Sequence, residues 1–367
     1  MTNLVEPSRQ FDLEGDVLLT LHSPNAPFAV WDRSWLEKDH SSVPEQDNTE
    51  TSCHTSSPDL LEQGSPASEQ LPDSTHKVQF LVSSKHLRLA SKFFNALFRN
   101  SWKETTSKSP DGLWCVDACD WDEVAMTRLM AVIHHQNRKL DERISVEELA
   151  KFAVVVDYYK CHEAVLPWSE KWINNLWDPT KWDYLDRGID FFSFFDYEDK
   201  LTLWILISQV FEKKDMFRAI TRVAMILCRG ELPTLGLPIV ATAKAFDAKR
   251  KVFLDQMFNS LYGLLGSLRD RKAGCTLECS SMLLGALCIE LHRIGIMDDQ
   301  WRLLGYPYAG QSVQSTISLI AFFTMPKCMH APLKTAHACQ LVRGIALDVK
   351  KIEGLELHNI IRLDAQD

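Results

Sequence analysis

Apolar residues take every second place in two short stretches, Val17, Leu19 and Leu21 in DVLLTL and Val78, Phe80 and Val82 in KVQFLVS. A period of two predicts a half-buried strand, because successive side chains leave opposite faces of an extended backbone. The period then changes. In SSKHLRLASKFFNALFRNSWKET (83–105), Leu87, Ala90, Phe94, Leu97 and Phe98 fall at i, i+3, i+7, i+10 and i+11, drawing one apolar stripe on a helix. Asp111-Gly112 marks a turn, and LWCVD (113–117) reads as a third strand.

Three amphipathic helices follow. The first, capped by Asp120, turns Ala125, Leu129, Val132 and Ile133 inward. The second opens on Ser145 with Glu148 three places on, a capping box, and carries Val146, Leu149, Ala150, Ala153 and Val154. The third shows Val165, Trp168, Trp172, Ile173 and Leu176 and ends at Asp178-Pro179. From about residue 180 the pattern is helical throughout: 199–211, 214–229, 238–268, 279–296, 312–324 and 335–352, punctuated by Gly230, Pro233, Gly274, Pro307 and Pro332.

The segment between the first two strands breaks these periods. Residues 39–76 are rich in Ser, Thr, Pro and acids and nearly free of aromatics, so they cannot bury enough apolar area to offset chain entropy. They predict a disordered acidic insertion. Strand pairing tolerates such an insert, since the cost of closing a loop grows only logarithmically with its length. The expected organisation is α+β: a flexible lead over 1–10, a domain of short strands and clustered helices over 11–178 that contains the insertion, and an all-α domain over 179–367. A chain of 367 residues suits two domains.

Charge sharpens this picture. Residues 1–76 hold 14 acids and 3 bases, so of the net −9 the remaining 291 residues contribute about +2, from 37 bases and 35 acids. No concentrated basic face emerges, which argues against a nucleic-acid partner. The start MTNLVEPSRQ lacks the features of a signal peptide, and no apolar run reaches the roughly 18 residues of a membrane helix. The expectation is a soluble intracellular protein, cytoplasmic or nuclear, whose ten cysteines are reduced and packed as small hydrophobes.

Candidate chemistry is sparse. Cys275 and Cys279 stand at i, i+4, and His337 and Cys339 lie one residue apart far downstream, a set that matches tetrahedral zinc in ligand number and type. The overall spacing is not that of a zinc finger, and buried cysteines commonly need no metal, so the plainer expectation is packing within the helical domain and no cofactor. His134-His135 and His162-Glu163 have no partner pattern: G-x-S-x-G, H-E-x-x-H, the P-loop and G-x-G-x-x-G are all missing from the sequence. The expectation is therefore no enzyme. Lys244, Lys249, Arg250 and Lys251 read as the charged solvent face of an amphipathic helix. Phe28, Trp31 and Trp35 beside the insertion are candidates for a partner surface, with folding back on the sheet as the plainer reading. The aromatic run WDYLDRGIDFFSFFDYEDKLTLWILI (182–207) is a candidate groove, with core or inter-domain packing as the alternative.

Taken in order, the pieces from Asp16-Val17 through Leu87, Ala90, Ser91, Phe93 and Phe94, then the strand at 113–117, Ile133-His134, and Leu149-Ala150 to Asp157-Tyr158-Tyr159, resemble a BTB/POZ domain. With FAVWDRSW, HLRLASKFF and VVDYYKC, the whole chain is similar to BTB/POZ-domain proteins of the fungal type. Two departures stand out: Ser83 occupies a place where many such domains carry His, and the lead is too short for the helix and strand that long-form members exchange on dimerising. The resemblance implies a non-catalytic protein–protein interaction module, a self-associating one or a substrate adaptor for a cullin-type ubiquitin ligase. The alternative it leaves open is a stand-alone oligomerising scaffold or transcription-associated protein without a ligase partner. In the adaptors a hydrophobic-x-Glu pattern follows the apolar helix, and Trp102-Lys103-Glu104 matches it, so Trp102 and Glu104 are the implied partner-binding residues. The competing reading has Trp102 cap the core with Glu104 in solvent.

Overall fold

A computed structural model of the chain describes residues 8–30, 76–99, 108, 111–182, 195–296, 310–328, 339 and 351–364. Its strands are β1 (Arg9–Gln10), β2 (Val17–His22), β3 (Lys77–Val82) and β4 (Trp114–Cys119). Its helices are α1 (Ser84–Ala90), α2 (Lys92–Arg99), α3 (Glu123–Ile133), α4 (Val146–Tyr159), α5 (His162–Leu176), α6 (Phe195–Val210), α7 (Lys214–Leu227), α8 (Val240–Arg269), α9 (Leu277–Arg293), α10 (Val313–Ala321) and α11 (Leu357–Asp364). The fold is α+β. Residues 39–75 of the expected insertion lie outside the described residues, as do most of the helix expected over 335–352.

Four strands form one sheet in the order β1-β3-β2-β4. β2 and β3 run antiparallel with Val17 opposite Val82, Leu19 opposite Phe80 and Leu21 opposite Val78, and β4 joins β2 in parallel. The six alternating residues of β2 and β3 are all buried, so the register places both apolar sets on the same inward face. A slip of one residue in either strand would turn that strand's three apolar side chains outward. Arg9–Gln10 adds a two-residue edge beside β3 that no periodicity could announce.

The stripe from Leu87 to Phe98 folds as two helices rather than one. Ser91 is extended (φ −138°, ψ 125°), and its hydroxyl donates to the Tyr159 carbonyl while accepting from the Phe94 N–H at 3.0 Å. A serine that caps the next helix competes with the helical hydrogen bond it would otherwise continue. The break keeps Leu87 and Phe94 buried and stacks the Phe94 ring on Tyr159 at 4.9 Å. Farther on, the cap of α3 is Asp122, which accepts from the Ala125 N–H at 2.8 Å, and not Asp120, whose φ of +67° belongs to the preceding turn.

The Ser145/Glu148 capping box forms as expected, with the Ser145 N–H donating to Glu148 at 2.8 Å and the Glu148 N–H donating to Ser145 Oγ at 3.2 Å. Burial works against the Glu148 charge, but the Ser145 N–H, the Arg128 guanidinium at 2.7 Å and the Ser145 hydroxyl outweigh it and hold the carboxyl down to about 2. Arg128 is itself buried, so this pair also ties α3 to the start of α4.

In α6, Leu201, Leu203, Trp204, Ile205, Leu206 and Ile207 are all buried together with Thr202, as in a helix segment enclosed on every side. It packs on α4 and α7. The boundary expected near 178 is thus spanned by packing, and the buried apolar residues on both sides belong to one core cluster. At that junction Trp177 stacks on Trp182 at 5.4 Å and meets Trp204 edge-on at 5.3 Å. These rings of the aromatic run serve packing; residues 183–194 lie outside the described residues.

Beyond α6 the helices α7, α8, α9 and α10 pack on one another, and a C-terminal segment closes over α7. There the Leu355 N–H donates to Thr221 Oγ1 at 2.8 Å, Arg222 to the Ile352 carbonyl at 2.8 Å and Lys249 to the Gly354 carbonyl at 2.9 Å. A Cβ on Gly354 would lie 1.9 Å from the Arg218 carbonyl oxygen, so only glycine lets this strap approach so closely. Gly354→Ala is expected to cost about 1–3 kcal/mol of stability, since a backbone carbonyl rather than a flexible side chain must yield. A urea midpoint unchanged by the substitution would show that the strap does not bear on α7.

Asp247 of α8 accepts the N–H of Leu232, in the connection from α7, at 3.2 Å. Burial, with the Glu231 carboxylate adding to it, pushes its carboxyl from the ordinary 3.8 up to about 6, against the opposing pull of the Leu232 N–H and Arg250. The folded state therefore binds the proton more tightly than the unfolded chain, and this group's contribution falls as pH rises from about 4 to about 6. Asp247→Asn keeps the acceptor and removes the charge. Melting temperature followed across that window should decline less steeply in the variant, and identical slopes would refute the assignment.

Candidate functional site

Cys275 and Cys279 flank the start of α9. Thr276 caps the helix, accepting the Cys279 N–H at 3.3 Å, and the Ser280 hydroxyl donates back to the Ala273 and Thr276 carbonyls at 2.6 and 3.0 Å. Gly274 sits at φ +91°, where a Cβ would fall 2.6 Å from Ser280 Oγ. The turn is therefore fixed by a cap, a back-bonded serine and a glycine that nothing larger can replace. It sets two sulfurs side by side at the positive end of a helix dipole, where thiolate charge is favoured.

Two further sulfurs arrive from the chain after α10. Thr324 anchors that stretch by donating its N–H to Glu290 Oε1 at 2.9 Å, near the far end of α9. This hydrogen bond, with the Arg293 guanidinium at 2.7 Å, outweighs burial and holds the Glu290 carboxyl below its usual range. From Cys279 to Glu290 the helix rises about 16 Å, whereas the four residues from Thr324 to Cys328 span at most about 14 Å fully extended. The stretch therefore leads from the later part of α9 back towards its N-terminus. There Cys328 Sγ lies 3.5 Å from both Cys275 Sγ and Cys279 Sγ, and with buried Cys339 the four sulfurs all fall within 4.8 Å of one another.

Three of these thiols, Cys275, Cys279 and Cys339, are raised above their usual range. Burial is foremost in pushing up Cys275 and Cys339, and for Cys279 the neighbouring Cys275 and Cys328 sulfurs come first. Four thiolates cannot gather at these distances without a cation among them. Chemically the cluster offers four soft donors and no acid–base couple.

Three of the four metal-ligand candidates read from the sequence, Cys275, Cys279 and Cys339, are brought together here. His337 lies outside the described residues. The fourth sulfur belongs to Cys328, which spacing did not single out; its position 11 residues before Cys339 was the one available signal. Comparison of the chain with family models, curated proteins and solved structures finds no match.

The remaining candidates separate cleanly. Trp102, Glu104, Trp31 and Trp35 lie outside the described residues, whereas Phe28 packs partly buried on the core with the Lys151 ammonium 5.8 Å from its ring. His134 is structural. Its Nε2 accepts the Ser83 N–H at 3.0 Å, which leaves Nδ1–H to donate to the Met130 carbonyl at 2.8 Å and fixes a neutral tautomer. Desolvation accordingly lowers its pKa, and this ring supplies an acceptor beside Ser83 at the end of β3. His162 pairs loosely with Asp157 at 3.6 Å on the surface.

The basic run needs a correction. Lys244 and Lys251 are exposed, but Arg250 is fully buried and was not a solvent-facing charge at all. Its Nε donates to the Cys228 carbonyl at 3.1 Å and its Nη2 to the Gln311 carbonyl. Among the described residues no helix is long and apolar enough to cross a membrane.

Proposed function

We propose that the α+β part of this chain is a BTB/POZ-like interaction module, and that the protein works without catalytic chemistry of its own as an adaptor linking a client to a cullin-type ubiquitin ligase. The observation that supports it is the pairing of β2 with β3 across the long insertion, with Leu19 opposite Phe80. That pairing brings the separate sequence pieces of the resemblance, 16–21, 77–94, 113–117 and 146–159, into one sheet-and-helix unit. On this reading the scaffold is met by Trp102 and Glu104, which follow α2 by three and five residues. A Trp contributes large desolvated contact area, and a carboxylate at the rim fixes orientation. The helical part then meets the client.

Affinity capture of the full-length protein, followed by mass spectrometry, tests this. Recovery of a cullin that is lost in both Trp102→Ala and Glu104→Lys supports the adaptor reading. No cullin in any capture, together with a concentration-dependent dimer by light scattering, replaces it with a stand-alone oligomerising scaffold.

A further inference from the structure

We infer that Cys275, Cys279, Cys328 and Cys339 bind one zinc ion in a closed, structural site that fastens the segment after α10 to the start of α9. The inference is independent of the adaptor reading, since it concerns the other part of the chain and is read by metal content rather than by partners.

Geometry carries it. Two of the sulfur–sulfur separations are 3.5 Å and none exceeds 4.8 Å. A regular tetrahedron with edges of those lengths has its centre about 2.1 to about 2.9 Å from each corner, a range that brackets the Zn–S bond of about 2.3 Å. The tetrathiolate set is also far too compact for bridging sulfides between two irons, which would drive the thiolates apart. Calcium and magnesium are excluded by donor type, because both require oxygen.

The assembly has the form of a built site. Cys275 and Cys279 are separated by three residues in a turn locked by Gly274, Thr276 and Ser280, a knuckle of the spacing zinc ligands use. Cys328 is delivered by a stretch pinned at Thr324, and Cys339, eleven residues further along the sequence, is buried. All four positions around the ion are filled by protein, so no water or substrate has an open site and the role is structural rather than catalytic. The dipole of α9 partly offsets the charge of the tetrathiolate centre.

The binding step balances without redox chemistry. Four Cys–SH groups and one Zn²⁺ give one Zn(S–Cys)₄ centre and four protons released to solvent; no electron moves. Ion binding therefore weakens as pH falls, because protons compete for the sulfurs.

The test uses the full chain, purified under reducing conditions without chelator. One zinc per chain by elemental analysis is expected. Cys279→Ser and Cys328→Ser should be strongly depleted in zinc, while Cys288→Ser, on α9 but outside the cluster, should retain it. Replacement of zinc by cobalt in the wild-type protein should give the intense thiolate-to-metal absorption of a tetrahedral tetrathiolate site, a readout that stands even if a serine variant fails to fold. Folded wild-type protein that stays metal-free after anaerobic reconstitution with zinc would overturn the inference. So would a six-coordinate cobalt spectrum, full zinc in folded Cys279→Ser, or stoichiometric iron in place of zinc.

Discussion

Replacing Arg250 by methionine is expected to lower folding stability by about 3–5 kcal/mol, although methionine fills similar space and removes a charge from the interior. The guanidinium is fully buried and donates to two backbone carbonyls. Cys228 caps the C-terminus of α7, where helical carbonyls lack intrahelical donors, and Gln311 immediately precedes Ser312, the cap of α10. One planar fork thus joins the end of α7 to the beginning of α10 through the middle of α8. Methionine takes these donors from the buried Cys228 oxygen and the partly buried Gln311 oxygen, at about 1–3 kcal/mol each. Lysine keeps the charge but offers a single point donor in place of the fork, so Arg250→Lys should recover only part of the loss. Urea unfolding at constant m separates the three proteins by midpoint. Equal midpoints for wild type and Arg250→Met would mean that the fork contributes nothing net and that α7 and α10 are held by apolar contacts alone.

Arg250 also marks where sequence reading stops. On an amphipathic helix a basic residue between Lys249 and Lys251 looks solvated, because the Cys228 and Gln311 carbonyls it donates to lie 22 and 61 residues away and leave no local trace. The same physics explains the split of the Leu87 to Phe98 stripe, for Ser91 breaks the helix through a carbonyl 68 residues distant. Cys328 escaped notice for the same reason, with its sulfur partners 49 and 53 residues upstream.

What was legible depended on the neighbouring few residues. Alternation marked β2 and β3 because burial of one sheet face imposes a period of two on the local chain. The Ser145/Glu148 box was readable because capping is a contact between residues three apart. β1 was not, since two residues carry no period, and neither was α11. For the metal site, the Cys275/Cys279 knuckle was visible as a local pair, whereas its completion depended on where α10 and the stretch beyond it return. Site chemistry assembled by tertiary structure is therefore the part a single sequence shows least, and the tests of zinc content and of Trp102 and Glu104 bear on different stretches of chain for that reason.

Trp172→Ala should be about as damaging as the loss of Arg250, for a different cause. Trp172 is fully buried on α5, meets Phe152 of α4 edge-to-face at 5.3 Å and Trp168 at 5.4 Å, and donates its indole N–H to the Asp141 carbonyl at 2.9 Å. Truncation removes the largest buried side chain in the α3–α5 layer and leaves a cavity in a close-packed interior, at about 3–5 kcal/mol. Since domains are stable by only about 5–15 kcal/mol, the variant should be marginal at physiological temperature. Trp172→Phe divides that cost. It restores most of the apolar contact with Phe152 but not the hydrogen bond, which is worth about 1 kcal/mol net. If packing dominates, the phenylalanine variant recovers more than half of the midpoint lost on truncation. If it recovers little, the Asp141 hydrogen bond positions the loop between α3 and α4 more strongly than apolar burial does, and Arg128, which bridges Asp141 at 3.0 Å and Glu148 at 2.7 Å, becomes the residue on which that layer turns.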